Sequence, residues 1–118
     1  MATAFSRLSL AGLVAVVSGG TSGIGRAIAL GLADAGADVV ATARRQALVD
    51  EVASDVERRG RRTLRMASDV TDRASLEAVR DACLAALGRL DILVSAAAIT
   101  QRVPTIDMSD GDWQRVLD

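Results

Sequence analysis

Apolar positions change their period several times along this chain, and the changes fall at glycines and aspartates, the pattern of strands alternating with helices. Leu13 to Ser18 is a continuous apolar run ending in glycines, the form of a strand buried on both faces. Gly25 to Ala35 follows as a helix with Ile28 and Leu32 at helical spacing, and Gly36 supplies its left-handed stop. Asp38 to Ala43 reads as a second buried strand. Gln46 to Arg59 then places Leu48, Val49, Val52 and Val56 on one helical face ahead of Gly60. A third strand is expected at Thr63 to Ala67. Thr71 or Asp72 caps the next helix, whose Leu76, Val79, Cys83, Leu84 and Leu87 form an apolar stripe ended by Gly88. Leu90 to Ser95 gives a fourth strand, and Ser109 with Asp112 opens a helix carrying Trp113, Val116 and Leu117. The pattern predicts an α/β fold: a doubly wound parallel sheet in the order 3-2-1-4 within three αβα layers. Its ligand crevice lies between strands 1 and 4, at their carboxyl ends.

Composition narrows the chemistry more than the fold. The 118 residues carry a net charge of −1, all 14 basic residues are arginine, and Lys, His, Tyr and Asn are absent. A Ser/His/Asp triad, a Schiff-base or phosphate-loop lysine and a tyrosine acid are therefore excluded within these residues, and no catalytic residue is assigned. One cysteine and no histidine rule out a disulfide framework and a Cys/His zinc site, so no metal is expected. The near-neutral charge argues against nucleic-acid binding, and no apolar run reaches the about 18 residues that span a bilayer. A soluble, cytoplasmic, single-domain chain is expected over residues 1–118. The run from Leu8 to Val17 also has the apolar length of a signal peptide, but only Arg7 precedes it and Ser9 and Gly12 interrupt it. The arginine cluster from Arg58 to Arg65 is read as a solvated face.

Two motifs sit where the crevice is expected. Ser18-Gly19-Gly20-Thr21-Ser22-Gly23-Ile24-Gly25 joins strand 1 to its helix and spaces three glycines as G-x-x-x-G-x-G. Gly19 permits the tight turn, Gly23 lets a pyrophosphate approach the backbone, and Gly25 lets the helix lie close to the strand. The helix N-terminus itself favours negative charge. Nineteen residues past Gly25, where an NAD site carries a carboxylate for the ribose hydroxyls, stands Arg44. An arginine there pairs with a 2′-phosphate and favours NADP, with NAD as the alternative cofactor.

These residues, with Asp69-Val70 and Asp91-Ile92-Leu93-Val94-Ser95-Ala96-Ala97-Ala98, resemble the classical short-chain dehydrogenases/reductases from about Leu10 to the end of the chain. The resemblance implies a partial Rossmann-like fold, the NAD(P)-binding half of the domain. It also implies NAD(P)-dependent hydride transfer between NADP(H) and a small carbonyl or alcohol substrate, and a homo-oligomer at full length. It assigns Gly19, Thr21, Ser22, Gly23, Ile24, Gly25, Arg44, Asp69, Val70 and Ala96 to the cofactor, with Asp69 on the adenine amino group and Val70 beside the ring. Where the family carries Asn-Asn-Ala-Gly, this chain has Ser95, Ala96, Ala97 and Ala98, which removes two side-chain amides and leaves a backbone contact from Ala96 or Ala97. The family's catalytic Asn, Ser and Tyr-x-x-x-Lys belong beyond Asp118. The alternative readings are a non-catalytic dinucleotide-binding module and a truncated fragment.

Overall fold

Every residue of β1 (Val14–Ser18) is buried, because helices cover both faces of the strand it forms. The computed structural model describes residues 9–96. The side chains of β1 alternate. Ala15 and Val17 join one core cluster with Ala29, Ala33, Val39, Ala41, Val52 and Val56, while Val14 and Val16 join a second with Val40, Val79, Cys83 and Leu87. The first cluster packs α1 (Gly23–Asp34) and α2 (Gln46–Arg58) on one face of the sheet, and the second packs α3 (Arg73–Leu87) on the other. This is the expected three-layer αβα arrangement.

The face that α1 presents to the sheet is Gly25, Ala29 and Ala33, one turn apart. Ile28 and Leu32, which mark the helical period in the sequence, are half-buried at its sides. Small residues at the contact let the helix axis approach the strands closely. On α2 the buried face is Val49, Val52, Ala53 and Val56, with Leu48 half-buried beside it. In α3, Asp72 rather than Thr71 caps the helix, its Oδ1 accepting from the Ala74 N–H at 3.1 Å, and Gly88 closes it at φ +83°. Cys83 lies wholly inside, and burial pushes its thiol pKa up, so it is a core residue. Leu84, assigned to the same stripe, is exposed on the helix's outer side.

Three parallel strands form the sheet in the order β2-β1-β3, with β2 at Asp38–Thr42 and β3 at Ile92–Ser95. Val14 pairs with Asp38 at one end of β1, and at the other Ser18 lies between Thr42 and Ser95. Asp91 pins this register, because its carboxylate accepts from the Val14 N–H at 2.9 Å while its own N–H donates to the Val14 carbonyl. This order is the 2-1-4 part of the one expected.

The strand expected at Thr63 to Ala67 is not formed. The segment runs beside β2 with backbone bonds only at its ends, Val39 N–H to the Arg62 carbonyl and Ser68 N–H to the Ala43 carbonyl. Side chains take the bonds that a ladder would have used: Asp38 accepts from the Arg62 N–H, Thr42 donates to the Met66 carbonyl, and Gln46 accepts from the Ala67 N–H. The arginine cluster that follows α2 is committed to intramolecular partners. Arg58 pairs with Asp55, Arg59 with Asp34, Arg62 with Asp38 and Arg65 with Glu57, while Arg61 donates to the Gly36 carbonyl. The loop containing Pro104 and the helix expected from Ser109 lie outside the described residues.

Candidate functional site

A parallel sheet delivers its loops to the carboxyl ends of its strands, and here three of them meet around a cleft of about 550 Å³. The loop after β1 contributes Gly19, Thr21, Ser22, Ile24 and Gly25; the turn after β2 contributes Ala43, Arg44 and Arg45; and the segment beyond contributes Ser68, Asp69, Val70 and Thr71. Leu48 of α2 and Ala96 after β3 complete the wall. Nine of the ten residues singled out from the sequence line this cleft. Gly23, the tenth, is the first residue of α1 and does not.

The glycine loop is shaped by backbone needs. Gly19 and Gly23 have φ of +76° and +56°, a region that side chains disfavour. A Cβ on Gly25 would stand 2.0 Å from the Gly19 carbonyl oxygen, so the helix meets the loop through bare backbone. Ser22 occupies the N-cap of α1 in extended conformation, yet its side chain accepts no bond from the helix, and the first turn holds no acidic residue. The leading N–H groups of α1 are therefore left for an outside acceptor. Ile24, 79% exposed, adds an apolar surface at the mouth.

Asp69 holds its own loop in place. Its Oδ1 accepts from the Thr71 N–H at 2.9 Å and the Thr71 hydroxyl at 2.6 Å, and its N–H donates to the Ser75 hydroxyl. The two bonds from Thr71, with the nearby Arg44 charge, keep the carboxyl below the usual aspartate range. Asp69 thus turns its own loop through Oδ1, and Oδ2 takes no part in those bonds. Thr42, wholly buried, donates to the Met66 carbonyl and shares a 2.7 Å bond with the Ser68 hydroxyl, which fixes the floor between β2 and this loop.

Ala96 lies in the cleft wall, and its N–H donates to the Ser18 carbonyl at 2.8 Å, continuing the β1–β3 ladder, which commits that donor within the sheet. The Ala96 Cβ stands 3.1 Å from where a Gly25 Cβ would be. Ser18, the strand partner of Ser95, has a buried hydroxyl with no hydrogen-bond partner among the described residues. The short Ser95 side chain stands where the resemblance expects an amide. Ala97 and Ala98 lie outside the described residues.

The sequence reading did not single out Arg45, Leu48 or Ser68 for the cleft. Arg45 was adjacent to a chosen residue, whereas Leu48 and Ser68 reach the wall only through the packing of α2 and the loop after it. Among the described residues no group of three or more His, Cys, Asp and Glu is placed to hold a metal ion, and no helix is long and apolar enough to cross a membrane.

Comparison with known proteins adds the family. The short chain dehydrogenase family model matches residues 13–118. The chain is 37% identical over 114 residues to 2-dehydro-3-deoxy-D-gluconate 5-dehydrogenase of Escherichia coli, covering 95% of this chain and 44% of that protein. It is 40% identical over 113 residues to a hydroxyacyl-CoA dehydrogenase of Mycobacterium tuberculosis, covering 92% and 35%. Among solved structures, a dehydrogenase/reductase from Sinorhizobium meliloti superposes with TM-score 0.86 at 37% identity, over 96% of this chain and 45% of that one. L-sorbose reductase from Gluconobacter frateurii, complexed with NADPH and L-sorbose, superposes with TM-score 0.82 at 36% identity, over 91% and 41%. The chain spans less than half the length of these relatives. With the family model and these relatives covering almost all of its length, the chain belongs to the short-chain dehydrogenase family.

Proposed function

We propose that these residues form the dinucleotide-binding part of an NADP(H)-preferring oxidoreductase that interconverts a small carbonyl compound and its alcohol. The observation that carries this reading is the α1 N-terminus. It has no side-chain cap and no acidic first turn, sits against Gly19 through a bare Gly25, and faces a cleft that also holds Arg44. Such an end presents N–H groups and a partial positive charge to a pyrophosphate. Asp69 Oδ2 and Val70 suit the amino edge and face of adenine, and Arg44 suits a ribose 2′-phosphate. Bound there, the nicotinamide would supply the hydride. The 118 residues contain no Tyr, Lys, His or Asn to exchange the accompanying proton, so their own part is to bind and orient. We assign the whole enzyme to the cytoplasm and to a homo-oligomer.

Titration of the 118-residue chain with NADPH and NADH tests this. NADPH should bind about ten- to a hundredfold more tightly, the value of one charge-assisted contact. Arg44→Ala should weaken NADPH far more than NADH. No affinity for either nucleotide would overturn the reading, and equal losses on Arg44→Ala would remove the 2′-phosphate assignment. The replacement of the family's Asn-Asn-Ala-Gly by Ser95-Ala96-Ala97-Ala98 favours a second reading, a module that binds the dinucleotide without turnover. It shares the binding result and predicts no activity with any carbonyl substrate even for a longer natural chain.

A further inference from the structure

We infer that Arg45 is a second specificity-determining residue, gripping together with Arg44 the phosphate monoester on the adenosine ribose. The inference rests on the NADP(H) reading above and assigns a residue that the family resemblance leaves out. Eight arginines of the described residues have a carboxylate within ion-pair distance, and Arg61 donates to a carbonyl. Arg44 and Arg45 are the two with neither kind of partner among the described residues, and both line the cleft.

Arg45 also occupies an unfavourable place for a cation. It is the N-cap of α2, where the helix carries partial positive charge, and its side chain cannot accept a bond from the leading amides. No acidic residue in the first turn compensates. The Arg45 carbonyl accepts from the Leu48 and Val49 N–H groups, while the earlier N–H groups of Gln46 and Ala47 have no intrahelical partner. The turn is held from the other side, where Gln46 bonds the Arg65 carbonyl and the Ala67 N–H, so the two guanidiniums extend from a fixed backbone. A ribose phosphate monoester carries a charge near −2 at neutral pH, which one guanidinium leaves under-neutralised and two match. Two exposed arginines and the open end of α2 together meet the charge and hydrogen-bond demand of such a group.

The test uses adenosine 2′,5′-bisphosphate and adenosine 5′-monophosphate, which differ only in the 2′-phosphate, as probes on the 118-residue chain and its Arg44→Ala, Arg45→Ala and doubly substituted forms, by calorimetry. Arg45→Ala should weaken the 2′-phosphorylated probe about tenfold and leave the monophosphate unchanged, and the double variant should lose the preference altogether. Thermal melting gives a second readout. Without ligand, Arg45→Ala should melt no lower than the parent, since a cation leaves a positive helix end; with the bisphosphate it should gain less. If Arg44→Ala alone removes the preference and Arg45→Ala matches the parent, this inference is overturned and the NADP(H) reading stands. Equal weakening of both probes by Arg45→Ala would also overturn it. A parent chain that binds both probes equally would overturn the NADP(H) preference, and this inference with it.

Discussion

Placing a single methyl group on Gly25 tests how the glycine loop and α1 are fitted together. The new Cβ would lie 2.0 Å from the Gly19 carbonyl oxygen, 2.9 Å from its carbon and 3.1 Å from the Ala96 Cβ. Real Cβ atoms essentially never approach closer than 3.0 Å, so the loop or the helix must give way by about 1 Å, and the obstacle is backbone. Overpacking costs about 1–3 kcal/mol; a backbone clash belongs at the upper end, about 3 kcal/mol, and the better helix propensity of alanine offsets about 1 kcal/mol of it. Gly25→Ala should therefore lose about 2 kcal/mol. Gly31→Ala is the internal control: the same helix, the same chemical change, and nothing within 4 Å of the new methyl. It should gain about 0.5–1 kcal/mol. Urea unfolding followed by circular dichroism reads both, with the midpoints moving in opposite directions at constant slope. A Gly25→Ala midpoint at or above that of the parent would refute the reasoning, because it would mean that the helix-to-loop distance is not held at this contact.

Other contacts give simpler expectations. Asp72→Ala removes the α3 cap and should cost about 1 kcal/mol by the same urea assay; no loss would mean that the Asp72 to Ala74 bond contributes nothing. Ser18→Ala removes a buried hydroxyl without a described partner and should leave stability unchanged or slightly raised, whereas a loss above about 1 kcal/mol would reveal a partner for that oxygen. Acid should destabilise the fold. The Arg89 side chain and the Val14 N–H hold the Asp91 carboxyl below its ordinary range, and Thr71 does so for Asp69. A lowered folded-state pKa gives stability that is complete above the unfolded value of about 4 and is lost as pH falls through the folded value. Melting temperatures measured from about pH 6 to about pH 3 should fall at the acid end, and less steeply in Asp91→Asn; a flat profile would contradict both assignments.

How much was legible in advance follows from the range of each interaction. The period of the valines and leucines gave β1, β2, α2 and α3 to within a residue or two, because a strand buried on both faces needs an unbroken apolar run and a helix needs a stripe. Gly36, Gly60 and Gly88 marked helix ends because only a local left-handed turn was at stake, and each has positive φ. The glycine spacing likewise placed the loop after β1, since Gly19 and Gly25 serve contacts within a few residues.

What the sequence by itself determined is therefore local: element type, helix ends, and a glycine turn joining a strand to a helix ahead of an arginine pair. Tertiary structure decided the rest. Thr63 to Ala67 has the residues of a strand, but Asp38, Thr42 and Gln46 reach across from β2 and α2 to take its backbone bonds. The register of β3 decided that the Ala96 N–H is committed to the Ser18 carbonyl. Arg44 and Arg45 became distinct from Arg26, Arg59, Arg61 and Arg62 once packing had paired those with carboxylates from other elements or bound them to a carbonyl. Hydrogen-bond and ion-pair partners distant in sequence are set by the relative placement of whole elements, and a local pattern of residue types carries no record of that placement.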